Sequence, residues 1–225
     1  MAHTHSSRFV AIVALFVATL IASNIIAVKV VALGSLVLPA AIILFPVAYI
    51  LGDVLTEVYG YAAARRVIWI GFLCNLLVVA AIWVAGMLPA AVFWEDQAAW
   101  DSVLGAAPRI MLASFLAYLV GEFANAFVLA KLKVATEGRH LWLRTIGSTL
   151  VGQGLDSAVF ITLAFAGILP TGALVTAIVT QWLVKSAYEA AATPVTYAVI
   201  GWLKRTEGVD TFDRDTKFNP LAISD

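Results

Sequence analysis

Six apolar runs, each long enough to cross a bilayer, constrain this chain more than any other feature. A membrane span needs roughly 20 mostly apolar residues, and the stretches 9–29, 36–59, 67–88, 110–130, 143–169 and 173–203 all reach that length. The chain has 225 residues, of which 62% are hydrophobic and 12% charged. Its mean hydropathy of +0.96 leaves too little polar surface to coat a water-soluble globule, so a soluble enzyme domain is excluded. The reading is an all-α integral membrane protein with six transmembrane helices in one membrane domain, residues 1–203, followed by a polar tail, residues 204–225. The first run has Arg8 before it and small residues after it, as a signal peptide would, but another span follows and the reading is an uncleaved helix. Cys74 is the single cysteine, and His3, His5 and His140 are scattered, so neither a disulfide framework nor a metal site is expected. No cofactor is expected either, and a net charge of zero gives no basic excess for a nucleic-acid partner.

Lys and Arg accumulate in short cytoplasmic loops. On a six-span path Arg8, Arg65, Arg66, Lys131, Lys133, Arg139, Arg144, Lys204, Arg205, Arg214 and Lys217 fall on one side, leaving Lys29 and Arg109 at opposite helix ends and Lys185 inside a span. Both termini are therefore expected in the cytoplasm. The long outer connection between spans three and four places Phe93, Trp100 and Leu104 on one helical stripe, broken by Gln97. That pattern predicts a short interfacial helix, either a plain anchor in the outer leaflet or a gate over a path through the bundle.

Ionisable groups inside the spans carry the functional signal. Asp53, Glu57, Glu122, Asp156, Lys185 and Glu189 together cost on the order of 10 to 20 kcal/mol to insert, too much for a lipid-facing position. Their spacing aligns them with polar neighbours on single helix faces: Tyr118, Glu122 and Asn125 in the fourth run; Thr149, Gln153, Asp156 and Ser157 in the fifth; Gln181, Lys185, Tyr188, Glu189 and Thr193 in the sixth. Gly121 permits close backbone approach beside Glu122. Five carboxylates face one ammonium. Lys185 can pair with Glu189 one turn away or with Asp156 on the adjacent span, while Asp53 and Glu57, near the cytoplasmic end, can pair with Arg65 and Arg66. The remaining acids must take up protons, accept hydrogen bonds, or await a ligand that donates them. Asn24 and Ser23 in the first run and Asn75 in the third are weaker signals, equally suited to interhelical bonding. Pro46 and Pro194 can kink their helices. The segment Ala48–Asp53, AYILGD, echoes Ala117–Glu122, AYLVGE, as a duplicated helical hairpin would.

No serine-hydrolase elbow, zinc-binding helix or phosphate-binding loop is present, so the chain reads as a non-enzyme that cannot hydrolyse ATP by itself. The segments SNIIAVKVV (residues 23–31), FPVAYILGDVLTEVYGYAAARRVIW (45–69), STLVGQGLDS (148–157) and EGVDTFDRDTKFNP (207–220) together resemble the queuosine precursor transporter family, also known as a vitamin uptake family. The tail departs from the family in one place, reading NPL where NPF is common. The resemblance implies import of 7-cyano- or 7-aminomethyl-7-deazaguanine across the bacterial cytoplasmic (inner) membrane. The residues read as substrate-binding are Asn24, Phe45, Asp53, Glu57, Tyr118, Glu122, Asn125, Gln153, Asp156, Gln181, Lys185, Tyr188 and Glu189. A carboxylate such as Asp156 can accept the N1–H and exocyclic amine of a guanine-like edge, Gln153 can donate to O6, and Tyr118, Tyr188 or Phe45 can stack on the ring. The expected partners are a purine-like small molecule and the lipid bilayer, with a homodimer left open. Proton coupling stands against facilitated diffusion. A membrane subunit that needs a separate ATPase, or a carrier of another purine-like or vitamin-like solute, is the alternative.

Overall fold

The computed structural model describes residues 6–33, 36–105 and 108–222. In chain order these form α1 (Ser7–Ile26), β1 (Val30–Leu33), β2 (Leu36–Pro39), a 3-10 turn (Ala40–Ile43), α2 (Phe45–Tyr59), α3 (Tyr61–Met87), α4 (Gln97–Leu104), α5 (Pro108–Ala135), α6 (Leu141–Phe165) and α7 (Thr171–Glu207). Among the described residues, four helical stretches are long and apolar enough to cross a membrane: α1, α3, one within 97–135 that includes α5, and α6. Their outer faces carry exposed side chains such as Leu15, Leu73, Leu77 and Trp83, which suit lipid rather than water.

The second apolar run is the one the sequence misjudges. Instead of one helix over 36–59, the chain makes an antiparallel hairpin with Val30 opposite Pro39 and Leu33 opposite Leu36, then a 3-10 turn. Only then does a 15-residue helix begin, with Pro46 in its first turn rather than its interior. β-branched valines favour the extended segment, and Pro39, itself extended at φ −65° and ψ 144°, leads directly into the 3-10 turn. At about 1.5 Å per residue α2 is roughly 22 Å long, short of the ~30 Å hydrocarbon core. It is buried without a break from Leu51 to Val58, enclosed by α1, α3, α5 and α7. The apolar core gathers around it from Phe9, Ile12 and Phe16 of α1, Tyr61, Ala64 and Ile68 of α3, Phe123 and Ala126 of α5, and Ile200 and Leu203 of α7. An enclosed helix can carry acids that a lipid-facing one cannot.

A short helix forms in this connection as α4, but Phe93 precedes it and is 87% exposed, so the expected stripe keeps only Trp100 and Leu104. α7 continues through Pro194 as far as Glu207, beyond the expected end at residue 203. The polar tail folds back as a strap across the ends of α2, α3 and α5. Thr211 N–H donates to the Val58 carbonyl (3.1 Å), and the buried Asp213 carboxylate accepts the Tyr61 N–H at 3.1 and 3.0 Å, capping the start of α3. Gly60, at φ 86°, makes the contact possible: a Cβ there would lie 2.7 Å from Thr211 Cγ2. Farther along, Arg65 donates to the Lys217 carbonyl (2.8 Å), Trp69 Nε1 donates to the Pro220 carbonyl (2.8 Å), and Phe218 packs against Tyr61 and Phe127 under the Lys131 ammonium. Leu221, where the tail departs from the family pattern, is 72% exposed.

Candidate functional site

Glycines bring the polar faces together. A Cβ on Gly121 would lie 2.8 Å from Asp156 Cβ, and one on Gly152 would lie 2.8 Å from Asn125 Cβ, so α5 and α6 cross at backbone contact. The close approach expected at Gly121 is observed. A Cβ on Gly52 would lie 3.2 Å from Glu122 Oε2, so the α2 backbone lies against the tip of that side chain. The two segments of the internal echo thus meet, Asp53 and Glu122 lying near each other in one cluster.

That cluster contains Asp53, Glu122, Asp156 and Glu189, with Lys185 its single ammonium. Asn125 Nδ2 donates to Asp53 Oδ1 (2.9 Å), Thr149 Oγ1 donates to Glu189 Oε1 (2.5 Å), and Lys185 Nζ donates to Asp156 Oδ2 (2.6 Å). Of the two pairings open to Lys185, the structure therefore adopts Asp156. Asp53, Glu122, Asn125, Gln153 and Glu189 are each 5% exposed or less. Asn125 Oδ1, Gln153 Oε1, Gln181 Oε1 and Glu189 Oε2 are buried without a hydrogen-bond partner among the described residues, as are the hydroxyls of Ser157 and Ser186. A buried polar atom left unpaired costs roughly 1–3 kcal/mol, and here most of them are acceptor oxygens. The cluster is rich in acceptors and short of donors.

A second acidic group lies one turn along α2. Glu57 is fully buried and receives Arg144 through two bonds, Nε to Oε2 and Nη2 to Oε1, both 2.7 Å. Lys204 adds a bond to Oε1 at 2.6 Å, and Lys133 Nζ lies 3.6 Å from the same oxygen. Lys133 also donates to Asp210 and to the Thr211 carbonyl, and Lys204 pairs with Asp210 at 2.8 Å. Burial pushes the Asp210 carboxyl up, but the ammoniums of Lys133 and Lys204 outweigh it and hold the group below its ordinary value. The expected pairing of Glu57 with Arg65 or Arg66 gives way to Arg144, Lys204 and Lys133. The Arg65 guanidinium points to the strap, donating to the Lys217 and Asn219 carbonyls.

The other expected site residues divide. Gln181 is half-buried on α7, roughly a turn from Lys185 toward the outer end. Tyr118 donates to the Ile68 carbonyl (3.1 Å), so its hydroxyl serves the contact between α5 and α3. Tyr188 is 44% exposed on the outer face of α7, away from the cluster, and Asn24 is half-buried on α1. The side chain of Phe45 lies outside the described residues. Tyr49 is a residue the sequence reading missed: buried on α2, it lies near Gln153, with Asp156, Glu122 and Glu189 around it. The signal was available, since Tyr49, Asp53 and Glu57 recur every four residues on one helix face.

Comparison with known proteins places this arrangement. Residues 39–199 match the family model described as "Putative vitamin uptake transporter". The "Probable queuosine precursor transporter" of Bacillus subtilis (strain 168) is 30% identical over 179 residues, 79% of this chain and 78% of that protein. The "Queuosine precursor transporter" of Escherichia coli (strain K12) is 28% identical over 124 residues, 54% of this chain and 52% of that one. No solved structure matches the chain. A match through most of the helical bundle, including α2 and the crossing of α5 with α6, identifies a transporter rather than an enzyme: the chain belongs to this vitamin uptake transporter family.

Proposed function

We propose that this protein imports queuosine precursors, 7-cyano-7-deazaguanine or 7-aminomethyl-7-deazaguanine, across the bacterial cytoplasmic membrane. The observation that carries the reading is the acceptor-rich cluster between α2, α5, α6 and α7, where Asn125 Oδ1, Gln153 Oε1 and Glu189 Oε2 are buried without partners. A 7-deazaguanine presents donors on several edges: N1–H, the exocyclic amine and the pyrrole N–H. Such a ligand supplies what the cluster lacks. Asp156 accepts the N1–H and amine together, Gln153 turns its amide toward O6, and the Tyr49 ring packs on the flat base. The aminomethyl form adds a cation that four carboxylates suit.

In this reading α2 and α7 join the four apolar helices to make six crossings, with both termini and the strap in the cytoplasm. Four acids against one lysine leave charge that protons or ligand must neutralise, so Glu122 and Glu189 are the groups through which a proton gradient would drive accumulation. The test is uptake of radiolabelled 7-cyano-7-deazaguanine by the purified chain in liposomes, without ATP. Uptake competed by 7-deazaguanines is the expected result, and a requirement for a separate ATPase would overturn transport by this chain alone. With membrane potential clamped, accumulation driven by an imposed pH gradient and abolished by Glu122→Gln or Glu189→Gln supports coupling. Equilibration without accumulation in the unmutated protein would sink it.

A further inference from the structure

Lys185 occupies the carboxylate that the proposed site would use to read the base, and this gives it a role other than ligand contact. We infer that Lys185 is a tethered stand-in for the substrate's donors: it neutralises Asp156 in the empty site and transfers to Glu189 when the base binds. The inference rests on the function proposed above. Two observations and one chemical argument support it. Lys185 Nζ lies 2.6 Å from Asp156 Oδ2, with the side chains only 9% and 14% exposed, so the pair is largely shielded from water. A guanine-like edge needs both Asp156 oxygens at once, and one is already taken. Glu189 sits four residues along α7 on the same face, and its Oε2 is buried without a partner while Oε1 holds Thr149. Side chains four apart on a helix have Cβ atoms about 6 Å apart, well within the sweep of a lysine stem.

The transfer leaves the charge of the cluster unchanged. In the empty protein Lys185 and Asp156 neutralise each other, and Glu189 retains an open acceptor. In the loaded protein the base holds Asp156 and the ammonium fills that acceptor. Neither state leaves a bare carboxylate beside a bare ammonium, which would be the costly intermediate in a low-dielectric site. Lys185 thus sets the threshold for binding: only a ligand whose donors match the ammonium on Asp156 can displace it. A purine without the paired N1–H and amine, such as adenine, leaves Lys185 in place.

The test measures dissociation constants for 7-cyano-7-deazaguanine, a neutral probe, on purified protein in lipid nanodiscs. Lys185→Gln removes the competitor and should bind at least as tightly as the unmutated protein, while discrimination against adenine falls at least fivefold. Lys185→Arg keeps the ion pair, and so the fold, but grips both Asp156 oxygens; it should bind at least tenfold more weakly. A tenfold loss of binding in a folded Lys185→Gln protein would make Lys185 a direct contact and overturn the inference. Binding by Lys185→Arg equal to that of the unmutated protein would overturn it too, even where Lys185→Gln fails to fold. Both of these leave the proposed function standing. Failure of the unmutated protein to bind any 7-deazaguanine removes that function, and this inference with it.

Discussion

Asp53 and Glu57 sit one turn apart on the same buried helix, yet their surroundings are opposite. Glu57 is met by Arg144, Lys204 and Lys133, with Asp210 completing a knot of two acids and three cations that ties α2, α5, α6, α7 and the strap together. Asp53 receives one neutral amide from Asn125 and shares its cluster with three more acids and one lysine. In the first, each charge has its partner and nothing is left to offer a ligand. In the second, acceptors outnumber donors and several polar atoms are stranded. Burial alone therefore does not separate the two clusters; the state of satisfaction does. A saturated ion cluster fixes structure, and on the proposed function the unsaturated one takes its donors from the ligand.

The sharpest way to break this comparison is to remove Glu57. Glu57→Gln leaves Arg144 and two lysines facing an amide inside the protein, and stranding one side of a buried ion pair costs about 3–5 kcal/mol. Thermal melting in detergent should show a large loss of stability, or no folded protein at all. A Glu57→Gln protein that melts normally but no longer binds substrate would reverse the two roles.

The sequence made part of this legible. Helices α1, α3, α5 and α6 follow from length and hydropathy, because each holds a window apolar enough to span a bilayer, whereas α7 forms as a helix expected from its apolar run although Gln181, Lys185 and Glu189 interrupt it. The stretch before α2 did not, since an apolar run from Leu36 to Tyr59 looks the same whether it is hairpin, 3-10 turn or helix. For the site, periodicity put Glu122 with Asn125, and Gln153 with Asp156, on their proper faces. Periodicity on one helix says nothing about which helix faces it. Arg144 was therefore read only as a cytoplasmic loop charge marking topology, although it is buried against Glu57 from the start of α6. Tyr49 was lost among aromatic residues common in any span. Tyr188 shares the polar row of Lys185 and Glu189 in sequence but turns outward, because the row is wider than the face that α6 covers.

The next effect in size belongs to the unsaturated cluster. Asp156→Asn exchanges an acceptor for a donor with little change of shape, so a charge-assisted bond to the base is lost, worth roughly 1.5–3 kcal/mol, or at least tenfold in affinity. Because Asp156 also answers Lys185, Asp156→Asn with Lys185→Gln separates the two losses. The double variant should regain stability without regaining affinity. Full binding in either folded protein would move the site away from α6.

A smaller loss is expected at the strap. Asp213 caps α3 through the Tyr61 N–H, and removing such a cap costs about 0.5–2 kcal/mol. Asp213→Ala should therefore lower the melting temperature modestly while substrate affinity stays unchanged, because the cap lies on the Glu57 side of α2. Affinity that falls together with stability would join the strap to the binding cluster and erase the distinction between the two halves of that helix.

The smallest effect is a dependence on acidity at Asp210. Its carboxyl is held below the ordinary aspartate value by Lys133 and Lys204, despite the opposing push of burial. A group whose value is depressed on folding contributes stability above its unfolded value, about 3.9 for aspartate, and loses it as pH falls through the lower folded value. The contact is thus complete at neutral pH and weakens only in acid. Lys133 and Lys204 keep Glu57 when Asp210 is protonated, so the strap loosens while the bundle holds. Hydrogen exchange at the Thr211 amide, which donates to Val58, reports this locally once intrinsic exchange rates are divided out. Protection should fall as pH drops below about 4 in the unmutated protein, and start lower and stay flat in Asp210→Asn. Equal and flat protection in both would mean that Asp210 rides on the knot without tightening it, leaving Glu57 and its three cations as the whole of the structural cluster.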